Sequence, residues 1–116
     1  MEDNFKLVYT INELNTVIEI PNKIIVIDFF ATWCQTCTTI SEYYFKLSEL
    51  YNNVFFLKIN IEDIDDIKEI YSIDKLPTFL VIKDKVELLR LQGASKINDL
   101  KSFLNSQISL ELDEDF

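Results

Sequence analysis

Residues 23–31 (KIIVIDFFA) constrain the fold of this chain more than any other stretch. Branched and aromatic side chains fill the run without a polar alternate, which is the pattern of a strand buried on both faces. Such a strand requires a sheet with helices packed above and below it, and 116 residues make that one domain. The one carboxylate in the run, Asp28, is expensive there, because burial disfavours its charged form and aspartate is a poor strand former. An edge or bulge would explain it structurally; a role in chemistry would explain it otherwise.

The flanking segments alternate between strand-like and helix-like. Residues 5–9 are short, apolar and β-biased. Thr10-Ile11-Asn12-Glu13 has the form of a capping box, predicting a helix through about Glu19 that Pro21-Asn22 ends. After Cys34 the period changes: Ile40, Tyr43/Tyr44, Leu47 and Leu50 make one apolar helical face, stopped at Asn52-Asn53. Residues 54–59 form a second buried strand, and Ile61, Ile64, Ile67 and Ile70 predict a short helix with an acidic start. Residues 78–83 and 86–92 predict strands joined by Asp84-Lys85, a hairpin turn without its glycine. Gly93-Ala94-Ser95 leads into a last helix through Ile97, Leu100, Leu104 and Ile108. The order β-α-β-α-β-α-β-β-α predicts an α/β domain: a mixed five-stranded sheet, central strands parallel, with an antiparallel C-terminal hairpin and four helices on two faces. The domain is expected over residues 1–109, with 110–116 as an acidic tail.

Charge narrows the function classes. Eleven basic residues against 20 acidic give a net charge of −9, and Arg90 is the one arginine. No basic stripe is available to neutralise phosphates, so neither nucleic acid nor an anionic membrane is an expected partner. The longest apolar runs are four residues, against the roughly 20 that a spanning helix needs. The Met1-Glu2-Asp3-Asn4 start lacks the positive charge of a secretory signal, so the expected location is cytoplasmic. Histidine is absent, which removes imidazole catalysis and histidine metal ligands.

Chemistry is concentrated in Trp33-Cys34-Gln35-Thr36-Cys37, just after the buried strand and at the start of a helix. Free N–H groups and the helix dipole favour negative charge on Cys34, so its thiolate forms readily. Cys37 lies one turn on, within reach of a small disulfide. That places Cys34 as an exposed attacking nucleophile and Cys37 as a shielded resolving thiol in thiol–disulfide exchange. Half of a zinc site and a pair of inert core thiols are the alternatives; zinc takes about four ligands, and no second pair exists here.

These residues, taken with three further motifs in order, resemble the thioredoxin family over nearly the whole chain. Residues 23–37 (KIIVIDFFATWCQTC) follow its buried strand, tryptophan and CxxC; residues 58–62 (KINIE) look like its third strand. Leu76-Pro77-Thr78 stands where the family has a cis-proline, and Gly93-Ala94-Ser95 matches the entry to its last helix. The resemblance implies the thioredoxin fold and a protein-disulfide oxidoreductase working as a monomer through a Cys34–Cys37 disulfide, with no bound cofactor or metal. Asp28 would assist proton transfer at Cys37, Lys58 would tune Asp28, and Pro77 would be cis. Trp33, Gln35, Thr36, Leu76, Pro77 and Gly93 would form the surface around Cys34 that receives disulfide-containing proteins, with Leu76 pairing its backbone with substrate. Electrons would come from an NADPH-dependent thioredoxin reductase. Gln35-Thr36 replaces the family's Gly-Pro, Glu42 its helix-kinking proline, and Lys75 a glycine near the cis-proline loop. These departures keep open a specialised relative, a glutathione-linked activity, or a binding module that retains the fold as an adaptor in a larger assembly.

Overall fold

The computed structural model describes residues 3–114, with side chains for residues 3–108. At its centre runs β2 (Ile24–Phe30), buried from Ile24 to Phe29. It is flanked by β3 (Phe55–Asn60), parallel, and β4 (Thr78–Lys83), antiparallel. The edges are β1 (Phe5–Leu7), parallel to β3, and β5 (Val86–Gln92), antiparallel to β4, giving the order β1-β3-β2-β4-β5. The helices are α1 (Ile11–Ile18), α2 (Gln35–Leu50), α3 (Ile67–Ile70) and α4 (Ile97–Glu114).

The apolar side chains of β2 divide between two cores because successive strand side chains point to opposite faces. Ile24 and Val26, with Phe56 and Phe79, meet Tyr44 and Leu47 of α2 and Leu100 and Leu104 of α4. Ile25, Ile27 and Phe29 meet Leu14 of α1 and Ile67 of α3 on the other face. Each such side chain contributes about 1.5–3 kcal/mol on burial. By the same alternation Asp28 falls on the α2 face, so the carboxylate is neither at an edge nor in a bulge.

Local signals account for most element ends. Thr10 Oγ1 accepts the Glu13 amide at 3.1 Å while Glu13 Oε1 accepts the Thr10 amide at 3.2 Å, closing the capping box of α1. The Asp84-Lys85 turn forms with both residues left-handed, φ 52° and 68°, as a two-residue hairpin demands. Gly93 has φ 103°, and a β-carbon there would meet no atom within 4 Å, so the backbone angle rather than crowding calls for glycine. A 3-10 turn (Ala94–Lys96) then opens α4. That helix runs through Glu114, across the boundary expected at 109/110; Asp115 and Phe116 of the expected tail lie outside the described residues.

One element differs from expectation. The helix predicted along Ile61, Ile64, Ile67 and Ile70 is reduced to Ile67–Ile70. Asn60 turns the chain first, its Oδ1 accepting the Glu62 amide and its carbonyl the Asp63 amide, both at 2.9 Å. Asp66 then takes φ 63°, which no helix interior accommodates. Ile64 and Ile67 are buried but Ile70 is exposed, so the three-residue spacing belongs to successive turns, not to one helical face.

Candidate active site

The loop after β2 delivers Cys34 to the N-cap of α2, and the two cysteines form a disulfide with their Cα atoms 5.3 Å apart. The Cys37 amide donates to Cys34 Sγ at 3.3 Å. Thr36 Oγ1 lies 3.4 Å from the same sulfur, and since a disulfide sulfur carries no hydrogen, the hydroxyl is the donor. Cys34 and Cys37 keep 8% and 2% of their surface exposed, so both are largely covered. The order of exposure is the expected one, yet Cys34 is not the openly exposed thiol anticipated, because Ala31, Ile61 and Leu76 pack around it.

Beside Cys34 runs a groove lined by Trp33, Ile61, Lys68, Ile73, Asp74 and Leu76. Trp33 is 68% exposed, a large apolar surface directly next to the sulfur. The Leu76–Pro77 peptide is cis, and the Pro77 carbonyl accepts the Gly93 amide at 2.8 Å. Pro77 and Gly93 are therefore tied to each other beside the groove rather than lining it, unlike Trp33 and Leu76. Gln35 and Thr36 are exposed on the first turn of α2. Ile61, Ile73, Lys68 and Asp74 were not expected in the site. Their positions depend on the turns around α3, and no periodic signal in the sequence marks those turns. Lys75 is not among the groove residues; the cation there is Lys68.

Asp28 is fully buried, and both carboxylate oxygens lack a hydrogen-bond partner. Burial pushes its pKa up from 3.8 to about 7, with the Lys58 charge pulling the other way. Lys58 stands opposite Asp28 in the β2–β3 register. Its ammonium donates instead to Ser41 Oγ at 2.8 Å and lies 4.4 Å from the centroid of the Phe30 ring. On α2, Cys37 is buried on the same inward face as Ile40, Tyr44 and Leu47, the helix face that packs on the Val26 side of β2, and Phe30 at the end of that strand packs against the cysteine cluster. Among the described residues no group of three or more acidic, cysteine or histidine side chains gathers in a way that could hold a metal ion.

Comparison with known proteins gives consistent results. Residues 6–106 match the family model described as Thioredoxin. A thioredoxin H-type from Fagopyrum esculentum is 38% identical over 74 residues, which are 64% of this chain and 64% of that protein. A thioredoxin from Coprinus comatus is 41% identical over 93 residues, covering 77% of this chain and 88% of its own. Among solved structures, Plasmodium falciparum thioredoxin superimposes with a TM-score of 0.80 at 29% identity, over 87% of this chain and 97% of that one.

Proposed function

The chain belongs to the thioredoxin family and is a protein thiol–disulfide oxidoreductase, and from that premise we propose that Cys34 attacks, Cys37 resolves and Asp28 takes the proton of Cys37. The observation that carries these roles is the position of Cys34 at the α2 N-cap, where two donors converge on its sulfur and, among the described residues, none on that of Cys37, the more deeply covered of two largely covered cysteines. In the dithiol form the same donors face a thiolate and stabilise it. That thiolate attacks one sulfur of a partner's disulfide, and the other sulfur leaves as a thiolate that takes a proton. Cys37 then gives its proton to Asp28 and attacks Cys34 Sγ. The mixed disulfide breaks, the second partner sulfur is released, and the Cys34–Cys37 bond closes. Two electrons pass from the dithiol to the partner, and the two thiols are all the redox equipment the step needs. A buried carboxyl that titrates at about 7 suits a base working near neutral pH.

Substrates in this reading are disulfide-containing proteins whose extended segments lie along the groove, pairing with the Leu76 backbone and resting on Trp33. Opposite charges on Lys68 and Asp74 border the groove and favour segments of mixed charge. Re-reduction falls to an NADPH-dependent thioredoxin reductase, and the protein acts as a monomer without a bound cofactor. A reducing compartment, the cytoplasm, fits a chain whose two cysteines both belong to the site. Among the described residues no helix is long and apolar enough to cross a membrane.

Trapping tests the assignment. Cys37→Ser mixed with insulin should accumulate a covalent adduct that dithiothreitol releases, and Cys34→Ser should not. Equal trapping by both variants would overturn the roles given to the two cysteines.

A further inference from the structure

Lys58 and Asp28 face each other across adjacent strands, and yet the ammonium is bound elsewhere. A buried carboxylate without a hydrogen-bond partner would gain from a cation moved onto it, since an opposite charge within about 4–6 Å strongly favours ionisation. What holds the ammonium is the Ser41 hydroxyl at 2.8 Å and the face of Phe30. Ser41 stands on α2 four residues after Cys37, one turn further along the same side of the helix. The helix that carries the resolving thiol therefore also carries the anchor for the charge opposite Asp28.

The geometry points to Ser41 as a positioning residue that keeps the Lys58 ammonium off the Asp28 carboxylate and so sets the pH range over which Asp28 exchanges protons with Cys37. The consequence for exchange rests on the reading of Asp28 as the proton acceptor; the hold on Lys58 does not. Other groups around Asp28 leave the effect to Lys58. From α2 the titratable neighbour is Tyr44, and its hydroxyl donates to the carbonyls of Leu57 at 2.8 Å and Val26 at 3.3 Å; Cys37 is held in the disulfide. From β4 the paired residue is Phe79, and α4 contributes Leu100 and Leu104 to this core. Phe30 attracts the ammonium without fixing its direction, because a ring face accepts a cation over a broad area. The serine oxygen is a single point.

The test is the titration of the Asp28 carboxyl, followed by carbon NMR in the oxidised full-length chain, alongside the pH profile of insulin reduction. Ser41→Ala should lower the Asp28 midpoint by about one pH unit or more as Lys58 turns to the carboxylate. Ser41→Thr, which keeps the oxygen, should stay near the unmodified protein. In a Lys58→Met background, Ser41→Ala should move nothing. An unchanged midpoint in Ser41→Ala, or the same shift without Lys58, would overturn the proposal. The acid limb of the reduction profile should follow the NMR midpoint, with the plateau rate unchanged. A midpoint that moves while the acid limb stays would refute Asp28 as the acceptor and leave the hold on Lys58 standing. An unmoved midpoint together with slowed exchange in Asp28→Asn would do the reverse.

Discussion

Two donors aimed at one sulfur give residue-scale control of the couple. The Cys37 amide is fixed by the helix, but the Thr36 hydroxyl, 3.4 Å from Cys34 Sγ, is a property of this sequence. A proline at position 36 would offer neither a hydroxyl nor an amide hydrogen. A hydrogen bond to a charged acceptor contributes about 1.5–3 kcal/mol, and this long, partly exposed one belongs at or below the low end. Removing it destabilises the thiolate and with it the reduced form. Thr36→Val should therefore lower the reduction potential by about 20 mV, from roughly 1 kcal/mol at 30 mV per 1.4 kcal/mol for two electrons. The Cys34 thiol should also titrate higher. Equilibration with a glutathione buffer measures the first; an unchanged potential would mean that water replaces the hydroxyl, and a raised one that the hydroxyl favours the disulfide over the thiolate. Both cysteines and the donors of the first helical turn were legible in the sequence, because helix-start geometry dictates them. The Lys58–Ser41 contact was not, since only the packing of α2 over β3 brings residues 17 positions apart together.

Elements were legible where periodicity and capping act locally, as in the α1 capping box and in β4 and β5, whose bounds fall at the expected residues. The segment after β3 was not, because its isoleucines repeat every three residues for a reason outside the helix: Asn60 and Asp66 impose turns. The cis-proline loop entered through family resemblance alone. The β4–β5 hairpin offers an element-scale prediction. Lys85 is held at φ 68°, where a β-carbon costs roughly 1–2 kcal/mol. Glycine removes that cost but adds freedom to the unfolded chain, which opposes folding by roughly 0.5–1 kcal/mol. Lys85→Gly should then stabilise the domain by about 0.5–1 kcal/mol. It should raise the urea midpoint without changing the slope of the transition, and leave exchange activity alone, since the turn lies at the end of β4 away from Thr78 and the cis-proline loop. A lowered midpoint would show that Lys85 makes contacts worth more than its backbone strain.

Stability of the whole molecule should carry the imprint of Asp28 through pH. Unfolded, the carboxyl releases its proton near 3.8; folded, burial holds the proton until about 7. Between those values the native state binds more protons than the unfolded one, so stability falls as pH rises, and the full penalty is present above the folded value. About three pH units correspond to at most on the order of 4 kcal/mol, a large share of the 5–15 kcal/mol typical of a domain. Glu13 and Glu87 act in the opposite sense. The Tyr9 amide bound to Glu13 and the Arg90 side chain bound to Glu87 hold both carboxyls below 4.5, so what they contribute is lost only as pH drops through that lower range. Repulsion within a chain of net charge −9 also grows as its carboxyls ionise, but it is spread over the surface and yields to salt. Asp28→Asn separates these sources. Its buried amide is also poorly partnered, so at pH 5 the variant should be no more stable than the parent. At pH 8, where the parent must hold a buried charge, the variant should be the more stable of the two. Urea unfolding of the oxidised proteins from pH 5 to 8 should thus give curves that cross, at low and at high salt alike. Parallel curves would mean that folded Asp28 is already ionised at pH 5, as the unfolded carboxyl is, and a carboxyl that does not titrate near neutrality cannot serve Cys37 as its base there.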